Sequence, residues 1–182
     1  MTATLYTIGH STRTIESLLE VLADSGIEAL VDIRALPRSR RQPQFNRDAL
    51  EDALASQGVR YSWHGMALGG FRKPRPDTRH VALRIPAFRG FADHMESEAF
   101  RCSLDEVLRA AERERLAIMC AERDPDQCHR SLITDAALLR GAQVIHLIDR
   151  GESRAAHRSA IARAVGATLV YDAGQSRLLD DA

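Results

Sequence analysis

Short, fully apolar runs alternate with stretches whose apolar residues recur every three or four positions, and this alternation predicts the fold. ATLYTIGH reads as a buried strand ending near Ile8, and TIESLLEVLADSG places Ile15, Leu18, Leu19 and Leu22 on one helical stripe that stops near Gly26. EALVDIR is a second apolar run, expected as a parallel neighbour of the first, so that the chain opens with a β-α-β unit. The Pro- and Arg-rich loop ALPRSRRQPQ leads to a helix that Asn46 is placed to cap. Phe45 and Leu50 there have the spacing of a hydrophobic staple, and the helix ends near Gly58.

VRYSW is a candidate third strand, followed by the loop ALGGFRKPRPDTRH, long enough to be functional or mobile. FRGFADHMESEAF predicts a modest helix, and Ser103 with Glu106 forms a capping box that opens another, running to about Arg113. LAIMC is a strand, HRSLITDAALLRG a helix and QVIHLI a strand. A last helix around ESRAAHRSAIARAVG and a strand ATLVYD complete the pattern, within residues 151–173. The expectation is one α/β domain over residues 1–182, with a mostly parallel sheet of about five strands and flanking helices.

Composition adds limits. At 182 residues the chain suits one well-buried domain, with ordinary apolar (45%) and charged (27%) contents. No apolar run is long enough to span a bilayer, and MTATLYTIGH lacks the basic and apolar regions of a secretory signal, so no membrane partner and a cytoplasmic location are expected. Three cysteines, Cys102, Cys120 and Cys128, make a disulfide framework improbable. The net charge is zero but uneven: between Arg34 and Arg89 eleven arginines and Lys73 face four acids, a local excess of +8. Such a segment suits a phosphate-bearing partner. Lys73 is the only lysine, however, so the abundance of arginine says little by itself; only its positions inform.

Polar chemistry gathers where the expected strands end, the place at which open α/β sheets bind ligands. The first strand leads to His10, Ser11 and Arg13, and the second to Asp32, Arg34, Ser39 and Arg40. The third candidate leads to Gly69, Gly70 and Arg72. The strand LAIM delivers MCAERDPDQCHR, with Cys120, Glu122, Cys128, His129 and Arg130. GHSTRT suggests a tight turn feeding a helix N-terminus, receptive to an anion, although Ser11, Thr12 or Thr14 would equally serve as an ordinary cap. His10 is as compatible with a packed core histidine as with function, whereas Asp32 is read more readily as a pair to an arginine such as Arg34 than as a chemical group.

Three readings of the last cluster stay open. Cys120, Cys128 and His129, with His10 as a candidate fourth, are metal-ligand types, but seven residues separate the cysteines, outside the short zinc-knuckle spacing. Adjacent Cys128 and His129 would also diverge by about 100° on a helix. A phosphatase-type thiolate loop needs an arginine after five intervening residues, and counting from Cys120 that place holds Asp126. Cys128 at a helix start is a reserve nucleophile, with Cys120 read as a small buried hydrophobe. The favoured reading makes Arg130 and the helix start an anion clamp, with Glu122 or His129 moving protons.

TIGHSTR, LVDIRALPRSRRQPQFN, GVRYSWHGMALGGFR and IMCAERDPDQCHRSLI, in this order, resemble the hallmark segments of the bacterial and archaeal family called domain of unknown function 488, over a family-like core of about residues 5–146. The corresponding positions are Gly9, His10, Ser11, Asp32, Arg34, Pro37, Ser39, Gly69, Gly70, Cys120, Glu122, Cys128, His129 and Arg130, with Gly151 and His157 as a further correspondence. Met66-Ala67-Leu68 departs from the more polar lead-in to the glycine pair. The resemblance implies a fold and a site but no reaction.

The residues together suggest an enzyme performing hydrolysis or group transfer on a phosphate-bearing substrate, a nucleotide or nucleic acid. Arg13, Arg34 and Arg130 would hold the anion, Glu122, His129 and His10 would supply acid–base chemistry, and Cys128 would stand in reserve. Ser11, Asp32, Ser39, Arg40, Gly69, Gly70 and Arg72 would complete the binding surface. No G-x-G-x-x-G fingerprint follows the early strands, so no nucleotide cofactor is expected. One alternative is a non-catalytic nucleic-acid-binding module gripping backbone with the loops 34–47 and 72–89. Another is a metal-dependent hydrolase with Cys/His ligands, zinc being the candidate ion. Oligomeric state is not legible.

Overall fold

Strand alternation decides which residues meet. In this computed structural model, which describes residues 2–173, β1 (Thr4–Gly9), β2 (Ala29–Asp32), β3 (Arg60–Trp63), β4 (Leu116–Cys120) and β5 (Gln143–Asp149) form the parallel part of a six-stranded sheet. β6 (Glu152–Ala155) adds antiparallel to β5, giving the order β3-β2-β4-β1-β5-β6. Leu116, Ile118 and Cys120 face one side of the sheet, with Ala29, Val31 and Ile33. Ala117 and Met119 face the other, with Tyr6, Ile8 and Leu30. Helices α1 (Ile15–Asp24) and α2 (Arg47–Ala55) cover the second face through Leu18, Leu22, Leu50 and Leu54. Helices α4 (Pro86–His94), α5 (Glu98–Ala111) and α6 (Arg130–Leu139) cover the first through Phe91, Leu104 and Leu132. A single turn, α3 (Gly65–Leu68), follows β3.

The expected single α/β domain with a mostly parallel sheet is what the structure shows; Met1 and residues 174–182 lie outside the described residues. Several local expectations are corrected. β2 is parallel to β1 but not its neighbour, because β4, buried along its whole length, lies between them. Helix α5 begins a turn before the Ser103–Glu106 pair. Ser97 caps it by accepting from the Phe100 amide at 3.3 Å, and the apolar stripe already starts at Phe100. Ser103 is instead buried within the helix, paired with His64 Nδ1 at 2.8 Å. Asn46 stands at the N-cap of α2 without a side-chain cap bond, its Oδ1 accepting from the Ser39 amide, whereas Thr14 does cap α1.

The largest correction concerns the C-terminal segment. No helix forms over 152–166; the chain makes β6, then a separate ribbon of β7 (Ala162–Val165) and β8 (Thr168–Tyr171). Ala and Arg there favour a helix, but the run has no apolar stripe. Gly151 (φ 69°) and Gly166 (φ 59°) turn the chain where only glycine does so freely. Among the described residues no helix is long and apolar enough to cross a membrane.

Five histidines, His10, His64, His80, His94 and His146, are pushed below the ordinary imidazole value, each first by burial. His146, hydrogen-bonded to Thr7 Oγ1 at 2.8 Å, is lowered to about 4. Below pH 6.5, the ordinary value, the unfolded chain therefore takes up protons that the fold refuses. Stability present at neutral pH is lost as pH falls through that window, down to about 4 for His146. The urea midpoint should be lower at acidic than at neutral pH, and His146→Asn should narrow the gap. A profile flat through this range would contradict the argument.

Candidate functional site

The polar residues at the strand ends divide between the two faces of the sheet. On the α1/α2 face, Asp32 is completely buried and grips Arg34 with both oxygens, Nε to Oδ1 at 2.9 Å and Nη2 to Oδ2 at 2.5 Å. The Arg34 amide also donates to Oδ1, and Tyr61 donates its hydroxyl to Oδ2 at 2.9 Å. Arg34 Nη2 donates to the Phe45 carbonyl, and Nη1 to His10 Nε2 at 3.3 Å. Four of the five guanidinium donors are thus engaged internally. His10 stacks on Phe45 at 4.3 Å and donates from Nδ1 to the Ser11 carbonyl, which leaves Nε2 to accept from Arg34. Burial, followed by lesser effects that include the Arg34 charge, keeps this imidazole neutral to lower pH than usual.

The other expected anion-holding arginines are latches as well. Arg13 donates to Asp149, to the Ile148 carbonyl and to Gly9 O, tying the turn after β1 to the end of β5. Arg130, 1% exposed, donates from Nη2 to the carbonyls of Glu122 and Arg123, closing the loop between β4 and α6. Arg72 donates to the Gly69 and Met66 carbonyls. Ser39 Oγ accepts from the Arg41 and Gln42 amides. Ser11, in the turn after β1 with φ 50°, donates its amide to Ala121 O. Arg40 is exposed on the loop after β2.

On the α4/α6 side a cleft of about 400 Å³ opens at the ends of β2 and β4. Its floor is Cys120, Cys128 and His129; Leu36, Phe71 and Phe88 form apolar walls, and Arg38 and Glu122 bring exposed charges. Gly70 also lines it, whereas Ser11, Arg13, Ser39, Arg40, Gly69, Arg72 and Arg130 do not, and His10 reaches it only through Arg34. Arg38 enters none of the ion pairs found among the described residues.

The floor is a three-membered cluster. Cys120 lies there because the alternation of β4 turns it toward α6. Cys128 ends a short 3-10 turn (Pro125–Gln127) in extended conformation and His129 is the N-cap of α6, so the two do not share a helical face. The divergence expected of adjacent helical residues is therefore absent. His129 Nδ1 is 3.8 Å from Cys120 Sγ and 3.7 Å from Cys128 Sγ. Nε2 is 3.0 Å from the Leu68 carbonyl, which can only accept, so Nε2 carries a proton while Nδ1 faces both sulfurs. Phe91 packs edge-on against the ring at 4.9 Å, and a Cβ on Gly70 would stand 2.6 Å from Nδ1.

Cys120 is pushed well below the ordinary thiol range, first by the hydrogen bond from Cys128 and then by His129, against the opposing effect of burial. Cys128, the partner that keeps its proton, is pushed up. The three donor atoms lie within 4.8 Å of one another and form the only such trio found among the described residues. Sequence reasoning read Cys120 as a core filler and left Arg38 out of the site. The alternation within LAIMC was the signal that Cys120 faces α6; nothing in the sequence revealed that the other arginines bind carbonyls.

A family model, Domain of unknown function DUF488, matches residues 14–138, more than half of the chain. No curated protein and no solved structure matches it.

The buried ion pair at the end of β2 and the exposed Arg38 beyond it should differ sharply in their contribution to stability. Asp32→Asn leaves the buried Arg34 without its counter-charge and should cost about 3–5 kcal/mol in urea unfolding. Arg38→Ala, at an exposed position, should stay within about 0.5 kcal/mol of the parent.

Proposed function

The chain belongs to the DUF488 family, whose description states no reaction, and from its own residues we propose an enzyme that performs hydrolysis or group transfer on a phosphate-bearing substrate in the cleft at the strand ends. One observation carries the reading. The single stretch from Cys120 to His129 brings two thiols, an imidazole and a carboxylate to a hollow whose cation, Arg38, and apolar walls come from segments far away in sequence. A stability role alone does not require polar groups to converge on an open cleft.

The roles follow from access. Arg38 is the cation free to meet the substrate anion, and the N-terminal end of α6 adds its positive dipole beside the floor. Leu36, Phe71 and Phe88 offer apolar surface to the remainder of the substrate. Glu122 is the carboxylate exposed to the cleft and takes the proton of the attacking group. Arg13, Arg34 and Arg130 act indirectly, by holding the loops that shape the hollow. Hydrolysis or transfer thus keeps its place as the favoured chemistry, with the anion contact moved to Arg38.

A thermal-shift panel of nucleotides and simple phosphomonoesters tests this, since a ligand that binds only the folded chain raises its melting temperature. At least one compound should shift the parent protein and be turned over. Arg38→Ala should weaken its binding about ten- to a hundred-fold, the loss of one charge-assisted hydrogen bond. Glu122→Gln should bind it and fail to turn it over. A folded protein that no compound shifts, or a ligand held equally by Arg38→Ala, would overturn the assignment.

A further inference from the structure

The cluster at the cleft floor has the composition and the spacing of a metal centre. Zinc takes thiolate sulfur at about 2.3 Å and imidazole nitrogen at about 2.0–2.1 Å, so tetrahedral ligands place sulfur and nitrogen about 3.5–3.6 Å apart. The observed separations, 3.7 Å and 3.8 Å, need only a small contraction. The imidazole is already oriented as a metal requires. Its Nε2–H is held by a backbone carbonyl, the usual outer partner of a ligating histidine, and its Nδ1 faces both sulfurs.

The three ligands are also held in place before any ion arrives. Cys120 is fixed by the β1–β4–β2 ladder, with the His10 amide donating to its carbonyl at 3.0 Å. Cys128 is fixed by its N–H donating to Pro125 O and by the Arg130 amide donating to its sulfur. The His129 ring is confined by Phe91 and Gly70. Two thiolates and one neutral imidazole leave a divalent ion with no net charge, which suits a buried location. Soft sulfur donors select zinc over calcium or magnesium.

We propose that Cys120, Cys128 and His129 bind one zinc ion through three protein ligands, with the fourth coordination position opening into the cleft. Among the described residues no further histidine, cysteine or carboxylate joins the trio, so the centre is open in the manner of catalytic zinc and unlike a closed structural site. The ion would offer its open position to water or to a substrate oxygen. This deepens the function proposed above and rests on it for the use of the metal, not for its presence.

The test is metal content and metal spectroscopy on the full chain, purified reduced after expression with added zinc. Elemental analysis should find one zinc per chain. Metal-free protein, shown to be folded by circular dichroism, should turn cobalt(II) chloride into a tetrahedral complex, with strong visible bands and a sulfur-to-cobalt band in the near ultraviolet. Cys120→Ser, Cys128→Ser and His129→Ala should each lose that signature, and His129→Cys should restore it. The parent titration decides the matter if those variants do not fold.

A folded, reduced parent that retains no zinc and leaves cobalt as the hydrated ion would overturn the proposal. So would ready formation of a Cys120–Cys128 disulfide in a protein that, once reduced, takes up no metal. Stoichiometric metal without turnover of any phosphate-bearing compound keeps the centre and removes the function proposed above. Turnover that survives complete metal removal keeps that function and overturns the use of the centre in it.

Discussion

The ion pair between Asp32 and Arg34 is the constraint around which the strand ends are arranged. A carboxylate with no solvent contact is tolerable only when its lone pairs are matched, and here two guanidinium nitrogens, one amide and a tyrosine hydroxyl match them. The same guanidinium holds the Phe45 carbonyl and His10, so β2, the loop before α2 and the end of β1 are joined through one side chain. Arg34 also borders the cleft. The hollow on one face of the sheet is therefore shaped by a charge pair whose partners belong to the other.

That division explains how legible the protein was. Strand positions could be read because β1, β2 and β4 are short apolar runs buried along nearly their whole length, and α1 and its Thr14 cap follow from a stripe and a hydroxyl. Sheet order could not be read, since placing β4 between β1 and β2 depends on which strand is best buried on both sides. The C-terminal segment misled because helix propensity is a weak preference, and turn glycines with β-sheet partners overrode it.

The candidate site was legible in its membership more than in its roles. Cys128, His129, Glu122 and Gly70 do reach one cleft, and Arg34 borders it. Arg13, Arg72 and Arg130 turn instead to backbone carbonyls, a choice that depends on loop geometry and leaves no trace in residue type. The positive segment from Arg34 to Arg89 is partly neutralised in the same way, since Arg75 and Arg79 both pair with Glu96, distant in sequence. Cys120 was the opposite case: its neighbours along β4 are all apolar, and only the face it shares with Leu116 and Ile118 reveals its company.

The two outer strands carry a consequence for life in a crowded solution. β3 is four residues long, with Arg60 paired to Glu114, and β6 is four residues long and exposed throughout, with Glu152 and Arg154 among them. Short, charge-bearing margins offer a foreign strand too few hydrogen-bonding positions to lie down beside them. The sheet is thereby discouraged from lengthening sideways into fibrils, even though its interior strands, freed of their helices, would be strongly self-adhesive.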